Sequence, residues 1–87
     1  MRKSHLIIGV HINGRVQHVP QVQKILTDYG CSIRTRLGLH EASDSECSPN
    51  GLLLLEMVGD ARKSHEMAER LRALDGVEVK EMLFDHP

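Results

Sequence analysis

The chain opens with a stretch in which apolar and polar side chains alternate, which is typical of a β-strand with one buried face. In residues 5–12, the side chains on one side are all apolar: Leu6, Ile8, Val10 and Ile12. Residues 31–40 and 77–84 alternate in the same way, and residues 51–59 form a nearly continuous apolar run, as expected for a central strand. The pattern therefore predicts four strands.

Two segments between these strands have the periodicity of amphipathic helices. The first follows the turn signal Asn13-Gly14, and Pro20 is expected in its first turn because the missing N–H costs nothing there. Gly30 is expected to end it. Its predicted core stripe consists of Val22, Ile25, Leu26 and Tyr29.

The second helix is predicted to begin after Asp60, a good N-cap, and to end at Gly76. Glu66 and Arg70 have the i, i+4 spacing of an ion pair on its exposed side. Its predicted core stripe consists of Met67, Ala68, Leu71 and Leu74.

The order β-α-β-β-α-β predicts a single α+β domain over residues 1–87 with the ferredoxin-like sandwich fold. Right-handed crossovers place both helices on one face of a four-stranded antiparallel sheet, which leaves the other face open.

Residues 41–50 have loop composition throughout and are predicted to connect the second and third strands of the chain. Alternation assigns the following residues to the open face: His5, Ile7, Gly9, His11, Arg34, Arg36, Gly38, His40, Lys80, Met82 and Phe84. This mixture is too apolar for ordinary solvent exposure and predicts a homodimer or tetramer that forms through the sheet.

Composition and charge narrow the function. The chain has 87 residues and only 2% aromatic residues, so its small aliphatic core favours association with a second copy. A net charge of −1 argues against direct nucleic-acid binding by this chain.

The apolar runs of the sequence are shorter than the ~20 residues that span a membrane. Two cysteines without a disulfide framework are typical of a reducing cytoplasm, and Cys31 is expected to be a small buried residue.

The segment GLHEASDSEC, residues 38–47, contains one candidate metal site. His40 and Cys47 bracket the predicted hairpin tip and would supply two ligands of the four that a tetrahedral transition metal requires. The spacing matches no zinc-finger or zinc-ribbon signature. The alternative interpretation is a polar hairpin tip without a metal.

The segment NGRVQHVPQV, residues 13–22, resembles the phosphate-binding loop of acylphosphatases. The departures affect the chemistry, because His18 replaces the loop glycine and Pro20 removes a backbone amide. Val22 occupies the position of the catalytic arginine and is predicted to point into the core. Without that guanidinium, the charge of a phosphoryl transition state is unsupported, so an acylphosphatase-like hydrolase is the least favoured alternative.

The segments IRTRLGLHEASDSECSPNGLLLLEMVGD and LRALDGVEVKEMLF together resemble the iron-only hydrogenase system regulator family. That family has a ferredoxin-like fold similar to ACT domains and to the C-terminal domain of the nickel-responsive repressor. The resemblance implies a small homo-oligomeric regulatory module without catalytic activity. In the nickel repressor, histidine and cysteine residues of the sheet region bind metal between subunits, a role that the resemblance would give to His40 and Cys47.

The similarity to ACT domains also implies a site for a small-molecule effector. Such domains bind effectors near the first strand–helix loop, where Asn13, Gly14 and Arg15 would lie. Arg34 or Arg36 would then bind a carboxylate of the effector. The alternative for these two arginines is a solvated or interfacial row of charge.

Overall fold

A computed structural model describes residues 3–13, 15–42 and 47–86, and it describes side chains within 4–13, 20–38 and 51–85. The elements follow the predicted order. The strands are β1 (Lys3–Ile12), β2 (Ile33–Ala42), β3 (Cys47–Met57) and β4 (Val77–His86). The helices are α1 (Arg15–Asp28) and α2 (Ala61–Arg72), and a short 3-10 turn, Gly30–Ser32, precedes β2. Neither described α-helix is long and apolar enough to cross a membrane.

The four strands form one antiparallel sheet in the order β2-β3-β1-β4. The two apolar strands, β1 and β3, are therefore central. Ile8 of β1 lies opposite Leu55 of β3 on one side and opposite Glu81 of β4 on the other. This topology confirms the predicted ferredoxin-like fold.

The core lies between the sheet and the two helices, which cover the same face. Met67, Ala68 and Leu71 of α2 are fully buried, and so are Ile8, Val10 and Leu55 of the central strands. The predicted stripe of α1 is also confirmed, because Val22, Ile25 and Leu26 are buried and Tyr29 packs against the cluster. Burial of each such aliphatic side chain contributes about 1.5–3 kcal/mol.

The opposite face of the sheet, called the open face below, has no helix over it among the described residues. Ile7 and Leu54 are half-buried there, whereas Leu37, Met82 and Phe84 are 47–55% exposed. Apolar side chains thus extend across all four strands of a surface that also carries His11, Lys80 and Glu56. This arrangement confirms that one side of the sheet is uncovered within a single chain.

The face assignment predicted for β2 is wrong beyond Ile33. Ile33 lies opposite Met57, but Thr35, not Arg34, lies opposite Glu56, so Arg34 is the extra residue of a β-bulge. Because side chains alternate with a period of two, one extra residue inverts the positions that follow, as far as the second register shift after His40. Arg36 and Gly38 therefore lie on the helix side, opposite the core residues Leu55 and Leu53, and Leu37 lies on the open face.

The start of α1 also differs from the prediction. The helix begins at Arg15, which puts Pro20 in its second turn, not its first. A proline there removes one backbone hydrogen bond, a cost that the packed stripe of Val22 and Leu26 offsets. At the other end, Gly30 does not have a positive φ, and the chain continues into the 3-10 turn.

The start of α2 is formed as predicted. The side chain of Asp60 accepts a 2.9 Å hydrogen bond from the Arg62 amide, and Gly76, with φ of 79°, follows the helix. The predicted Glu66–Arg70 ion pair is not formed. Arg70 instead binds Asp28 of α1 at 3.2 Å and lies 5.5 Å from the centre of the Tyr29 ring, so its charge joins the two helices.

Two further predictions are wrong. Residues 41–50 are not loop throughout, because Ala42 lies opposite Cys47 and β3 begins there; cross-strand pairing overrides local composition. Only residues 43–46 of that segment lie outside the described chain. Cys31 is exposed instead of buried, since the 3-10 turn carries it away from the core.

Candidate functional site

The junction of β1 and α1 holds the first part of the predicted effector site. The Asn13 amide donates a 2.8 Å hydrogen bond to the carbonyl of Gly76, which ties the end of β1 to the start of β4. Arg15 begins α1 immediately afterwards. Gly14 and the side chain of Arg15 lie outside the described part of the structure, so their role stays a prediction.

The two arginines of β2 lie elsewhere. Arg34 lies at the level of Leu6, near the start of β1. Its neighbour Ile33 is opposite Met57, and Met57 is opposite Leu6. Leu6 and Asn13 are seven residues apart, or about 23 Å at ~3.3 Å per residue. One subunit therefore does not bring Arg34 together with the β1–α1 junction.

Arg36 has a different environment from Arg34. Its guanidinium donates a 2.7 Å hydrogen bond to Oε1 of Gln23 on α1. Because this bond lies on the helix side of the sheet, Arg36 connects β2 to α1. Of the two arginines predicted as alternatives, Arg36 is thus bonded to Gln23. A role of either arginine in effector binding stays a prediction.

An open cleft of about 650 Å³ lies at the end of the sheet where Arg34 is found. Its walls come from the start of β1, the end of β3 and the first turn of α2. Arg34, Glu56, His5 and Ser64 supply polar groups, and Leu6, Met57 and Val58 supply apolar surface. A volume of this size suits a small metabolite, since ligand sites in proteins typically occupy about 300–1,000 Å³.

The carboxylate of Glu56 is held at the cleft by two neighbours. It accepts a 3.1 Å hydrogen bond from the Thr35 hydroxyl, and its other oxygen is 3.6 Å from Nδ1 of His5. Sequence reasoning missed this group, although Glu56 was visible as the only charged residue of the run GLLLLEMVG. A lone carboxylate in a central strand is a signal, because such positions are normally apolar.

A smaller hollow of about 120 Å³ lies in the middle of the open face. It is centred on Gly9 and bordered by His11, Leu52, Glu78 and Lys80. A Cβ added at Gly9 would meet Cδ2 of Leu54 at 3.8 Å, an ordinary contact. The hollow thus exists because the central strand carries no side chain there.

The candidate metal ligands His40 and Cys47 lie near the loop end of the β2–β3 hairpin. His40 is opposite Gly51, and Cys47 is opposite Ala42, two residues further along β2. Their side chains lie outside the described part of the structure. Among the residues that are described, no three His, Cys, Asp or Glu residues are grouped to hold a metal ion.

In the acylphosphatase-like segment, the last position is a buried valine where acylphosphatases have the catalytic arginine. Val22, which occupies the place of the catalytic arginine, is 1% exposed and packs in the core. The prediction that this residue points inward is confirmed. A guanidinium would have to be buried among Leu26 and Leu55 to occupy that position.

Comparison with known proteins identifies the fold. No family model and no curated protein matches the chain. Among solved structures, an uncharacterized protein from Thermotoga maritima has 19% sequence identity and a TM-score of 0.77, covering 97% of this chain and 99% of its own.

Two other solved structures have lower scores. CPII, a nitrogen regulatory PII-like protein from Thiomonas intermedia bound to ADP, AMP and bicarbonate, has 12% identity and a TM-score of 0.57 over 100% of this chain and 99% of its own. A dimeric ferredoxin-like protein from an uncultured marine organism has 9% identity and a TM-score of 0.50 over 98% and 95%. At these identities the likeness shows a shared fold: the chain has the ferredoxin-like architecture that is also found in PII-like proteins.

Proposed function

We propose that this domain is a non-catalytic, ligand-sensing regulatory module that forms a homodimer or tetramer through the open face of its sheet. The observation that carries the proposal is the apolar surface of that face, where Leu37, Met82 and Phe84 are about half exposed. Exposed apolar surface that extends across a whole sheet marks an interaction site. A second copy is the favoured occupant, since the same face offers both protruding side chains and the hollow at Gly9.

The fold comparison supports both parts of this function. One protein of the same fold is described as dimeric, and another is bound to ADP, AMP and bicarbonate. An effector that binds one assembly state more tightly than the other would shift the association of subunits. Regulation by such a shift requires no catalytic group.

The experiment compares two neighbouring residues of β4. Met82 is 55% exposed on the open face, and Leu83 is 61% exposed on the helix side. Met82→Glu is expected to convert the oligomer to monomer in sedimentation velocity, because a buried carboxylate would face an apolar partner surface. Leu83→Glu, the matched control, is expected to leave the assembly unchanged. A monomeric wild-type protein at high concentration, or equal effects of both substitutions, would overturn the proposal.

A role in the iron-only hydrogenase system is the finer form of this proposal, and its support is the sequence resemblance described above. In a host that contains such a hydrogenase, deletion of the gene for this chain is expected to change hydrogenase activity. The amount of hydrogenase polypeptide is measured in the same cells. A change in that amount indicates an effect on expression, whereas a change in activity alone indicates an effect on maturation. Unchanged activity and amount would remove the link.

The second candidate function is a metal-binding module that uses His40 and Cys47. The observation in its favour is the hairpin register, which keeps the two backbone positions within two residue pairs of each other. Metal analysis of the purified protein, compared with the double variant His40→Ala and Cys47→Ser, tests it. Equal metal content in both proteins would exclude this function.

Hydrolysis of acyl phosphates is not expected. Burial of Val22 supports this, because no guanidinium is available at that position to stabilise a phosphoryl transition state. An assay with a simple acyl phosphate should give no turnover above the uncatalysed rate. Turnover that is lost in Arg15→Ala would reverse this conclusion.

A further inference from the structure

Arg34 differs from the other arginines whose side chains the structure describes. Each of the others has a hydrogen-bonding or ion-pair partner, whereas the guanidinium of Arg34 has none among the described residues. The partnered arginines are Arg36 with Gln23, Arg62 with Asp60, Arg70 with Asp28, and Arg72 with Glu69 and Glu81. An exposed arginine that lines a cleft without a protein partner is available to a ligand.

The β-bulge explains why this side chain lies at the cleft. Arg34 is the unpaired residue between the Ile33–Met57 and Thr35–Glu56 pairs, so it is released from the regular alternation of β2. Bulges commonly redirect a side chain toward a functional site. A guanidinium supplies two parallel N–H donors whose spacing matches a carboxylate.

The rest of the cleft determines which anion fits. Three amides in the first turn of α2 are already bonded to Asp60. Its side chain accepts a hydrogen bond from the Arg62 amide at 2.9 Å, and its carbonyl accepts from the amides of Lys63 and Ser64 at 3.0 and 3.4 Å. Glu56 places a negative charge in the cleft, whereas the nearby Asp60 is already paired with Arg62 at 3.4 Å. One unpaired guanidinium can balance one negative charge of a ligand, whereas a phosphate dianion would keep an excess negative charge beside the Glu56 carboxylate.

The remaining walls describe the body of the ligand. Leu6 and Val58, both half-buried, form an apolar surface in the same cleft as Arg34. Met57 and Ser64 also line the cleft, but they are only 5% and 2% exposed. Glu56, fixed by Thr35 and His5, can accept a hydrogen bond from a hydroxyl or ammonium group of the ligand. These groups suit a small molecule with a carboxylate at one end and a short apolar body.

We infer that this cleft is the effector site and that it binds a small monocarboxylate. The carboxylate is held by Arg34, the apolar body lies against Leu6 and Val58, and Glu56 accepts a hydrogen bond from a donor group beside the carboxylate. This inference rests on the proposed ligand-sensing function and gives it a site and a ligand class. The site lies at the opposite end of β1 from Asn13, so it is distinct from the effector site predicted at the β1–α1 junction.

The test is a titration of the full-length protein, followed by two-dimensional amide NMR spectra. The probes are butyrate, 2-hydroxybutyrate, 2-aminobutyrate, inorganic phosphate and AMP. At least one of the three carboxylates is expected to give saturable shifts at Gly59, Ala61 and Ser64 at millimolar concentration. A preference for the 2-hydroxy or 2-amino acid over butyrate supports the role of Glu56.

Two matched variants locate the site. Arg34→Gln is expected to weaken carboxylate binding by about tenfold or more, because it removes the only guanidinium among the described residues that line the cleft. Arg36→Gln makes the same change two residues away at an arginine that binds Gln23 and does not line the cleft, and it is expected to leave affinity within twofold. Absence of saturable carboxylate binding, tighter binding of phosphate or AMP at these residues, or an equal loss in both variants would overturn the inference.

Sedimentation of the same samples separates this inference from the proposed function. An oligomer that binds none of the carboxylates refutes the cleft and leaves the self-associating module standing. A monomer that binds a carboxylate through Arg34 refutes the sheet-mediated assembly and supports the cleft.

Discussion

The guanidinium of Arg36 donates a 2.7 Å hydrogen bond to Oε1 of Gln23, across the boundary between β2 and α1. This contact forms because the bulge at Arg34 moves Arg36 from the open face to the helix side of the sheet. The same inversion brings Leu37 to the open face, where it extends the apolar surface to the outermost strand. One extra residue thus supplies an arginine to the cleft and an apolar side chain to the proposed subunit interface.

Filling the hollow of the open face is expected to weaken self-association without unfolding the subunit. Gly9→Val adds a branched side chain that the strand accommodates, because the nearest atoms to a new Cβ are 3.8 and 3.9 Å away. The added methyl groups would occupy the hollow of about 120 Å³. Sedimentation equilibrium measures the association, and Gly9→Ala, which fills less of the hollow, should have a smaller effect. Tighter association in Gly9→Val would contradict the proposed interface.

Substitution of Gly59 is expected to destabilise the domain for a conformational reason alone. Its φ is 84°, and nothing lies within 4 Å of an added Cβ. Gly59→Ala should therefore lower the free energy of unfolding by about 1–2 kcal/mol, the cost of a left-handed conformation for an L-residue.

Gly30→Ala is the matched control, since an added Cβ there is equally uncrowded and φ is not positive. It should be neutral or slightly stabilising, because alanine reduces the freedom of the unfolded chain. Urea unfolding at one protein concentration measures both variants. Equal losses at the two positions would show that crowding, not φ, decides the effect.

Loss of a single core side chain should consume much of the stability of so small a domain. Leu71 is fully buried between α2 and the sheet, so Leu71→Ala is expected to cost about 2–5 kcal/mol through lost burial and a residual cavity. Leu83→Ala removes the same atoms from a side chain that is 61% exposed and should stay within about 0.5 kcal/mol of wild type. Calorimetric unfolding of the two variants gives the comparison.

The interaction between Arg72 and Glu69 is expected to contribute to the free energy of unfolding at neutral pH and to lose that contribution at low pH. Its 2.7 Å hydrogen bond holds the pKa of Glu69 below the ordinary value of 4.5. Because the folded pKa is depressed, the stabilisation is fully present above pH 4.5 and is lost as the pH falls through the folded pKa. The effect is small, since Glu69 is exposed to solvent and the pair is screened.

Carboxyl NMR titration of the native protein checks this directly. Arg72→Met should return the pKa of Glu69 toward its ordinary value, whereas Arg62→Met, which removes an arginine paired with Asp60, should not. A native Glu69 that titrates at or above pH 4.5 would show that the hydrogen bond has no influence in solution.

Much of the fold could be predicted because its signals are local. The alternation in β1 and β4, the helical stripe from Met67 to Leu71, and the Asp60 cap each depend on neighbouring residues, and each is confirmed. The predicted Glu66–Arg70 pair failed for the opposite reason. Arg70 had partners from α1, Asp28 and Tyr29, that lie about forty positions earlier in the chain.

The candidate site was predicted less well than the fold. Arg34 was recognised as a candidate ligand-binding residue, but it was grouped with Asn13 and Arg36, from which the structure separates it. Glu56 and Ser64 were not considered, because a cleft between the end of one strand and the start of a helix has no periodicity that a linear pattern could reveal.

The sequence by itself determined the order of the strands and helices along the chain, the core side chains of β1 and the two helices, and the open face on β1 and β4. Periodic burial encodes all of these within a few residues. Only the tertiary structure decided which side of the sheet the residues after Ile33 face. Pairing with β3 places the bulge at Arg34, and one unpaired residue exchanges the two faces of the rest of the strand.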